Sequence, residues 1–193
     1  MGNSEGSTVI TVEDFLREPS KAREAGIAAN FIDWSGPDGI VYKRICITEI
    51  PGLQESLEEL VGPVDMLGQA FRLNYADELP NCSIHTDVGW GTHALVLYLM
   101  EDPAHTGTAF WKHRGSGKTE MLPEDTETFI AIKNDTEDLY KWDPIGFVEA
   151  KFNRAAIYSS HLFHSRWPFE GLGDCPENGR LTAVAFFTPK GET

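Results

Sequence analysis

From Met66 onward the chain is written in short Val, Ile, Leu, Phe and Tyr segments punctuated by Gly, Pro, Asn and Asp, which is a β register. The expected strands are Met66–Tyr75, Cys82–Asp87, Ala94–Met100, Thr108–His113, Phe147–Phe152, Arg154–Ser159 and Leu181–Thr188, with a helical stretch at Asp125–Asn134 among them. Ahead of this region the text differs. A short strand is expected at Thr8–Val12, then helix from Glu13 to about Asn30, which Pro19 can split in two. A strand at Gly39–Thr48 follows the turn residues Gly36-Pro37-Asp38-Gly39. Pro51–Val61 reads as a helix with Pro51 near its first turn and Leu53, Leu57 and Leu60 on one face.

Seven or eight strands preceded by helices predict a mainly β fold. The expected form is a double-sheet barrel or jelly roll (a double-stranded β-helix) supported by helices on one face. No internal repeat, low-complexity tract or long linker divides the chain. A single domain over residues 1–193 is expected, with 1–65 as N-terminal support and 66–189 as the jelly-roll core.

Eleven Phe, five Trp and five Tyr must be buried somewhere, and a chain of 193 residues can bury roughly 70% of the surface its unfolded form exposes. With 16 Lys+Arg against 30 Asp+Glu the net charge is −14, which repels phosphate backbones and anionic membrane surfaces and disfavours nucleic-acid binding. The longest apolar run, Ala94–Met100, is far short of the roughly 20 residues of a spanning helix. The opening Met1–Ser7 shows neither the basic nor the apolar region of a secretory signal and reads as a disordered start. Cys46, Cys82 and Cys175 are odd in number and lack CxxC spacing, which fits a reducing, cytoplasmic setting. The sequons at Asn81-Cys82-Ser83 and Asn134-Asp135-Thr136 are chance matches in that setting.

The segment Ser83-Ile84-His85-Thr86-Asp87-Val88-Gly89-Trp90-Gly91 carries the most chemical information. Residues two apart on a strand share a face, so His85 and Asp87 can hold one metal ion between them. An imidazole and a carboxylate are two-thirds of the facial triad of non-haem Fe(II) oxygenases. Alone, such a pair is more often a solvated strand end, and a third ligand from a distant strand has to complete it. His93, His105 and His113 follow too closely in sequence, whereas His161 and His164 lie just after Arg154–Ser159, where a barrel rim would place a ligand.

In its ordered short motifs the chain resembles the 2-oxoglutarate- and Fe(II)-dependent oxygenases of the prolyl-4-hydroxylase-like branch. Tyr75 stands ten residues before His85, like a family tyrosine that hydrogen-bonds the co-substrate. Gly107-Thr108-Ala109-Phe110 resembles the glycine turn into the next strand, and His164-Ser165-Arg166-Trp167-Pro168 the stretch in which proline follows the distal metal histidine. Arg180-Leu181-Thr182 opens the last strand, where the family places a basic residue for the far carboxylate of 2-oxoglutarate. Independently of the family, Arg180 and Thr182 share a strand face and can bind one carboxylate jointly. The gap of sixteen residues from His164 to Arg180 exceeds the family's usual spacing, so Phe169–Gly179 has to be a loop. Otherwise Arg166 is the rival for that carboxylate.

The resemblance implies Fe(II) on His85, Asp87 and His164, with His161 as the alternative distal ligand, and 2-oxoglutarate on Arg180, Thr182 and Tyr75. It implies O2-dependent hydroxylation of an unactivated C–H bond in a small-molecule or peptidyl substrate, with release of succinate and CO2. Asp87 favours hydroxylation over halogenation, which needs a small residue there. Two other readings remain: a jelly-roll module that binds metal or a small ligand without turnover, and a cupin-like metalloenzyme without 2-oxoglutarate, which would use more histidines in its first motif. Trp90 and Trp111 are candidates to line a substrate pocket or to pack in the core. Tyr98 and Tyr158 read as core, and His113, beside Lys112 and Arg114, as an exposed edge-strand residue. The acidic runs at Glu124–Glu127 and Asp135–Asp138 read as solvated charge. The acidic chain as a whole favours a neutral or cationic target, and an exposed jelly-roll edge can be capped by the chain's own N-terminal helix or by a second subunit.

Overall fold

The longest antiparallel pairing joins β4 (Val64–Asn74) to β10 (Arg180–Pro189), which also pairs with β5 (His93–Tyr98). The computed structural model describes residues 8–36, 41–78, 83–103 and 105–191. Around β10 lie β1 (Ile10–Val12), β2 (Ile32–Ser35), β3 (Val41–Ile47) and β8 (Ala155–Ser159), giving a sheet of order β1-β8-β5-β10-β4-β3-β2. A smaller sheet of order β7-β6-β9 faces it, built from β6 (Gly107–His113), β7 (Trp142–Glu149) and β9 (His164–Trp167). An isolated antiparallel bridge from His85 to His164 extends this small sheet on its β9 side. All strand pairs are antiparallel, and the two facing sheets form the expected jelly roll.

Period-two alternation divides the large sheet into two surfaces. Phe71 and Leu73 on β4, Leu95 and Leu97 on β5, and Leu181, Ala183, Ala185 and Phe187 on β10 point to one side. There they pack with Phe15 and Leu16, with Ala22 of α1 (Pro19–Ile27), and with Leu53 and Leu57 of α2 (Leu53–Val61). Each such large side chain contributes roughly 1.5–3 kcal/mol by leaving water. Gly26 sets the helix-to-sheet distance, since a Cβ there would stand 3.0 Å from Leu181 Cδ2 and 3.1 Å from the Phe71 ring. Pro19 begins α1 instead of splitting it, because a first-turn residue has no intrahelical partner for its N–H. Residues 13–18 are non-helical, and Leu60, in the last turn of α2, is 47% exposed.

Ala70 and Arg72, Val96, and Thr182, Val184 and Phe186 alternate to the other side and line a cavity between the sheets. Phe110, Tyr98, Tyr158 and Leu162 pack in a second core cluster, and Tyr158 also lines the cavity. β6 is buried on both sides, because its outward Ala109 and Trp111 lie under Ile132 of α3 (Thr126–Ile132), with Trp142 and Phe163.

Several expected boundaries change. β7 begins at Trp142, not Phe147; Pro144 is accommodated because β7 is an edge strand, where a missing N–H breaks no ladder bond. β2 and β9 were not expected. The predicted strand Cys82–Asp87 reduces to the single bridge at His85, and Cys82 and Asn81 lie outside the described residues. So do the Met1–Ser7 start and the turn at Pro37–Ile40. No helix among the described residues is long and apolar enough to cross a membrane.

Candidate metal centre

His85 and Asp87 leave the small sheet where its ladder runs out. The His85 N–H donates to the His164 carbonyl at 3.0 Å, the His164 N–H returns to the His85 carbonyl at 2.9 Å, and the Asp87 N–H donates to the Ser160 carbonyl at 2.8 Å. One strand-like bridge is therefore enough to place His85 and Asp87 opposite His164, the first residue of β9. Beyond Asp87 the chain turns sharply. Gly91, at φ 105°, permits that turn: a Cβ there would meet Leu67 Cδ1 at 2.7 Å and the Phe187 carbonyl oxygen at 2.9 Å.

The possible ligand atoms of His85, Asp87 and His164 all lie within 4.8 Å of one another. His164 Nε2 is 3.2 Å from Asp87 Oδ2 and His85 Nε2 is 3.8 Å from Asp87 Oδ1. Each histidine donates its Nδ1–H to a backbone carbonyl, His85 to Ser83 at 3.0 Å and His164 to Leu162 at 2.9 Å. A carbonyl only accepts, so the proton is fixed on Nδ1 and the Nε2 lone pair of each ring is turned toward the cluster. Burial and the adjacent His164 push the His85 imidazole down to about 4. His164 goes the other way: burial opposes its charge, but the Asp87 carboxylate raises it above its ordinary value. Asp87, despite burial, is held below the usual carboxylate range by His164 and His85. Two neutral-capable imidazoles and an ionised carboxylate on one side, with open space on the other, form the donor set of a facial metal site. His161 is not part of this cluster.

The open space is a cavity of about 1000 Å³. At one end lies Arg180, 5% exposed, whose Nη2 donates to the Gly107 carbonyl at 3.1 Å while its Nε is buried with no partner. Burial lowers this guanidinium to about 10, which leaves it cationic at neutral pH. Thr108 and Thr182 line the same end, where the Tyr98 hydroxyl lies 2.7 Å from Thr108 Oγ1. An orphaned buried guanidinium N–H flanked by threonine hydroxyls fits a carboxylate. The long stretch from Phe169 to Gly179 is indeed a loop, tied to the end of β4 by Leu172 N–H to the Asn74 carbonyl at 3.2 Å and Ala76 N–H to the Gly173 carbonyl at 3.0 Å. Arg166 also reaches the cavity, but it is ion-paired with Glu78 at 2.9 Å.

Tyr75 is not brought to the cavity. Strand parity places it with Phe71 and Leu73 on the helix-covered side, where its ring lies under Arg44 at 4.3 Å. Trp90 lines the cavity, whereas Trp111 is buried under α3 and donates Nε1–H to Ser165 Oγ at 2.9 Å. His113 is buried, not exposed, because it shares the face of Ala109 and Trp111 and packs 4.9 Å from the Trp142 ring; its ring nitrogens contact Asp135 Oδ2 at 3.1 Å and Ser116 Oγ at 3.0 Å. The cavity also holds residues that the sequence did not assign to it, among them Arg72, Trp34, Tyr42, Phe186 and Tyr158, the last with its ring 4.9 Å from His164. Arg72 had a signal: its even spacing from Gly68 and Ala70 on β4 puts it on the face away from Phe71.

Solved structures share this architecture. AviO1 from Streptomyces viridochromogenes Tue57 is similar at 15% identity and TM-score 0.56, over 97% of this chain and 92% of that one. The non-haem α-ketoglutarate-dependent carbocyclase SnoK from nogalamycin biosynthesis is similar at 10% identity and TM-score 0.56, over 94% and 79%. EctD from S. alaskensis, solved with 2-oxoglutarate and 5-hydroxyectoine, is similar at 15% identity and TM-score 0.52, over 94% and 72%. At such identities the likeness is one of fold, and it is a fold that 2-oxoglutarate- and iron-dependent enzymes use. No curated protein matches the sequence. One family model does, that of a family of unknown function, DUF6445, over residues 69–187; this stretch runs from β4 to β10 and holds the whole histidine–aspartate cluster, and the chain belongs to that family.

Proposed function

We propose that the chain is a non-haem Fe(II)- and 2-oxoglutarate-dependent dioxygenase that hydroxylates an unactivated C–H bond. The observation that carries this reading is the pairing of two sites in one cavity: a cluster in which both histidines turn Nε2 toward Asp87, and a buried arginine with an orphaned N–H. Fe(II) would be held by His85, Asp87 and His164, and the far carboxylate of 2-oxoglutarate by Arg180 with Thr182. When bound, metal and co-substrate supply oxidative decarboxylation to succinate and CO2 and the oxidising power for the C–H bond.

The protein's part is placement. The carbonyls of Ser83 and Leu162 fix the two imidazole tautomers, and Asp87 supplies the single negative charge of the ligand set. Glu78 neutralises Arg166, the rival that the sequence offered for the co-substrate carboxylate, and Arg180 stands beside Thr108 and Thr182 with its Nε unpartnered. Tyr158 and Phe186 supply apolar lining to the cavity. Within the prolyl-4-hydroxylase-like branch, the tyrosine role has no counterpart at Tyr75. We further read residues 1–65 and 66–189 as one domain, since Phe15, Ala22 and Leu57 share a core with Phe71 and Leu181.

Incubated in air with Fe(II) and 2-oxoglutarate, the protein is expected to release succinate slowly even without its own substrate, and Asp87→Ala to release none. Equal succinate from the variant would remove the triad assignment. Iron bound with no succinate would leave a metal-binding jelly roll without turnover.

A further inference from the structure

Resting on the reading above, we propose that the substrate is an apolar, ring-bearing compound carrying one carboxylate, and that Arg72 is the residue that binds this carboxylate.

Charge comes first. The cavity is lined by three arginines, Arg72, Arg166 and Arg180, and by the carboxylates of Asp87 and Asp125. Asp125 is ion-paired with Lys118 and caps α3 through Thr128. Arg166 is paired with Glu78, and Glu78 and Asp77 together also neutralise Arg44, at 2.6 and 3.3 Å. A ferrous ion, Asp87, doubly charged 2-oxoglutarate and Arg180 then sum to zero. Arg72 is left over. Among the described residues no carboxylate lies within 4.0 Å of it, and its Nε is buried without a hydrogen-bond partner. Asp87 and Glu78 act on it only from a distance; a largely buried guanidinium without a contacting counter-ion is costly, and a bidentate carboxylate is the group that matches its fork.

Shape comes second. Arg72 sits opposite Thr182 across the β4–β10 ladder, one inward position beyond Arg180 along β10. Its guanidinium lies 5.6 Å from the ring of Tyr42. From Tyr42 an aromatic wall continues: Tyr42 to Trp34 at 5.8 Å, Trp34 to Trp90 at 6.3 Å, and Trp90 to Phe186 at 5.6 Å between ring centroids. All four side chains face the cavity. One cationic anchor at the foot of a wall of four rings selects a molecule with a single anionic group and a flat apolar body. The cavity's local charge is thus opposite to that of the acidic chain as a whole.

The test uses a matched pair, 1-naphthaleneacetate and 1-naphthaleneacetamide, on protein loaded anaerobically with Fe(II) and 2-oxoglutarate, read by quenching of tryptophan fluorescence. The acid is expected to bind at least tenfold tighter than the amide. In Arg72→Met that preference should vanish while amide binding and the 2-oxoglutarate charge-transfer band persist, and Arg72→Lys should keep part of it. Circular dichroism and melting temperature establish that the variants fold. Equal binding of acid and amide, or binding of neither below millimolar concentration, overturns the proposal. So does loss of the 2-oxoglutarate band in Arg72→Met, which would assign Arg72 to the co-substrate. A preference for 1-naphthyl phosphate over the acid would overturn the choice of carboxylate. Absence of the band in wild-type protein strikes the oxygenase reading instead; the acid–amide comparison on metal-free protein then still reads Arg72.

Discussion

His164 and Asp87 titrate as partners, and the consequence is a pH-dependent metal site. With His164 raised above its ordinary value by Asp87, a proton competes with the metal for Nε2, whereas His85, held near 4, offers no such competition. Metal binding therefore releases a proton from His164 below its raised value. Apparent Zn(II) affinity, measured by calorimetry, is expected to rise by about tenfold per pH unit up to that value and then flatten. An affinity independent of pH between 5 and 8, in about that window, would contradict the assignment. The spacing of His85 and Asp87 was readable because a period of two puts both on one side, even though only one bridge of the expected strand forms. The same period explains why Tyr75 was misplaced and Arg72 overlooked: family spacing pointed to the first, while a lone arginine on a strand resembles a solvent-facing residue until the opposite sheet is in place.

At the level of elements, the loop between β7 and β8 locks the N-terminal segment. Asn153, at φ 62°, is buried; its side chain accepts from the Leu16 N–H and donates to the Leu16 carbonyl, both at 2.9 Å, and its own carbonyl accepts from the Phe15 N–H. Asn153→Ala loses two buried hydrogen bonds and leaves a β-carbon in the left-handed region. A cost of about 2–4 kcal/mol by urea denaturation is expected. Asn153→Gly keeps the backbone at ease and should cost less; equal losses would show that the side-chain bonds carry the whole effect. Phe71→Ala removes a ring packed against Gly26 and is expected to cost about 3–5 kcal/mol. Strands with apolar alternation, such as β4, β5 and β10, were legible in the sequence. β2 and β9 were not, because Ile32-Asp33-Trp34-Ser35 and His164-Ser165-Arg166-Trp167 are short and polar and become strands only through their neighbours' ladders.

Over the whole molecule, helices and sheet share one apolar core, while the opposite face of the same sheet is left to build a cavity from Gly68 to Arg180. The arrangement makes the site's sheet depend on the N-terminal third of the chain. Residues 1–65 and the rest are expected to melt in one calorimetric transition, and two transitions would divide what we read as a single domain. The central claim joins the cluster to Arg180, and it is tested most directly by titrating metal-free protein anaerobically with Fe(II) and then 2-oxoglutarate, with Arg180→Ala alongside. The account predicts a weak visible charge-transfer band in the wild type and an affinity for 2-oxoglutarate at least about tenfold weaker in the variant. No band with iron demonstrably bound, or equal affinity in both proteins, would contradict it.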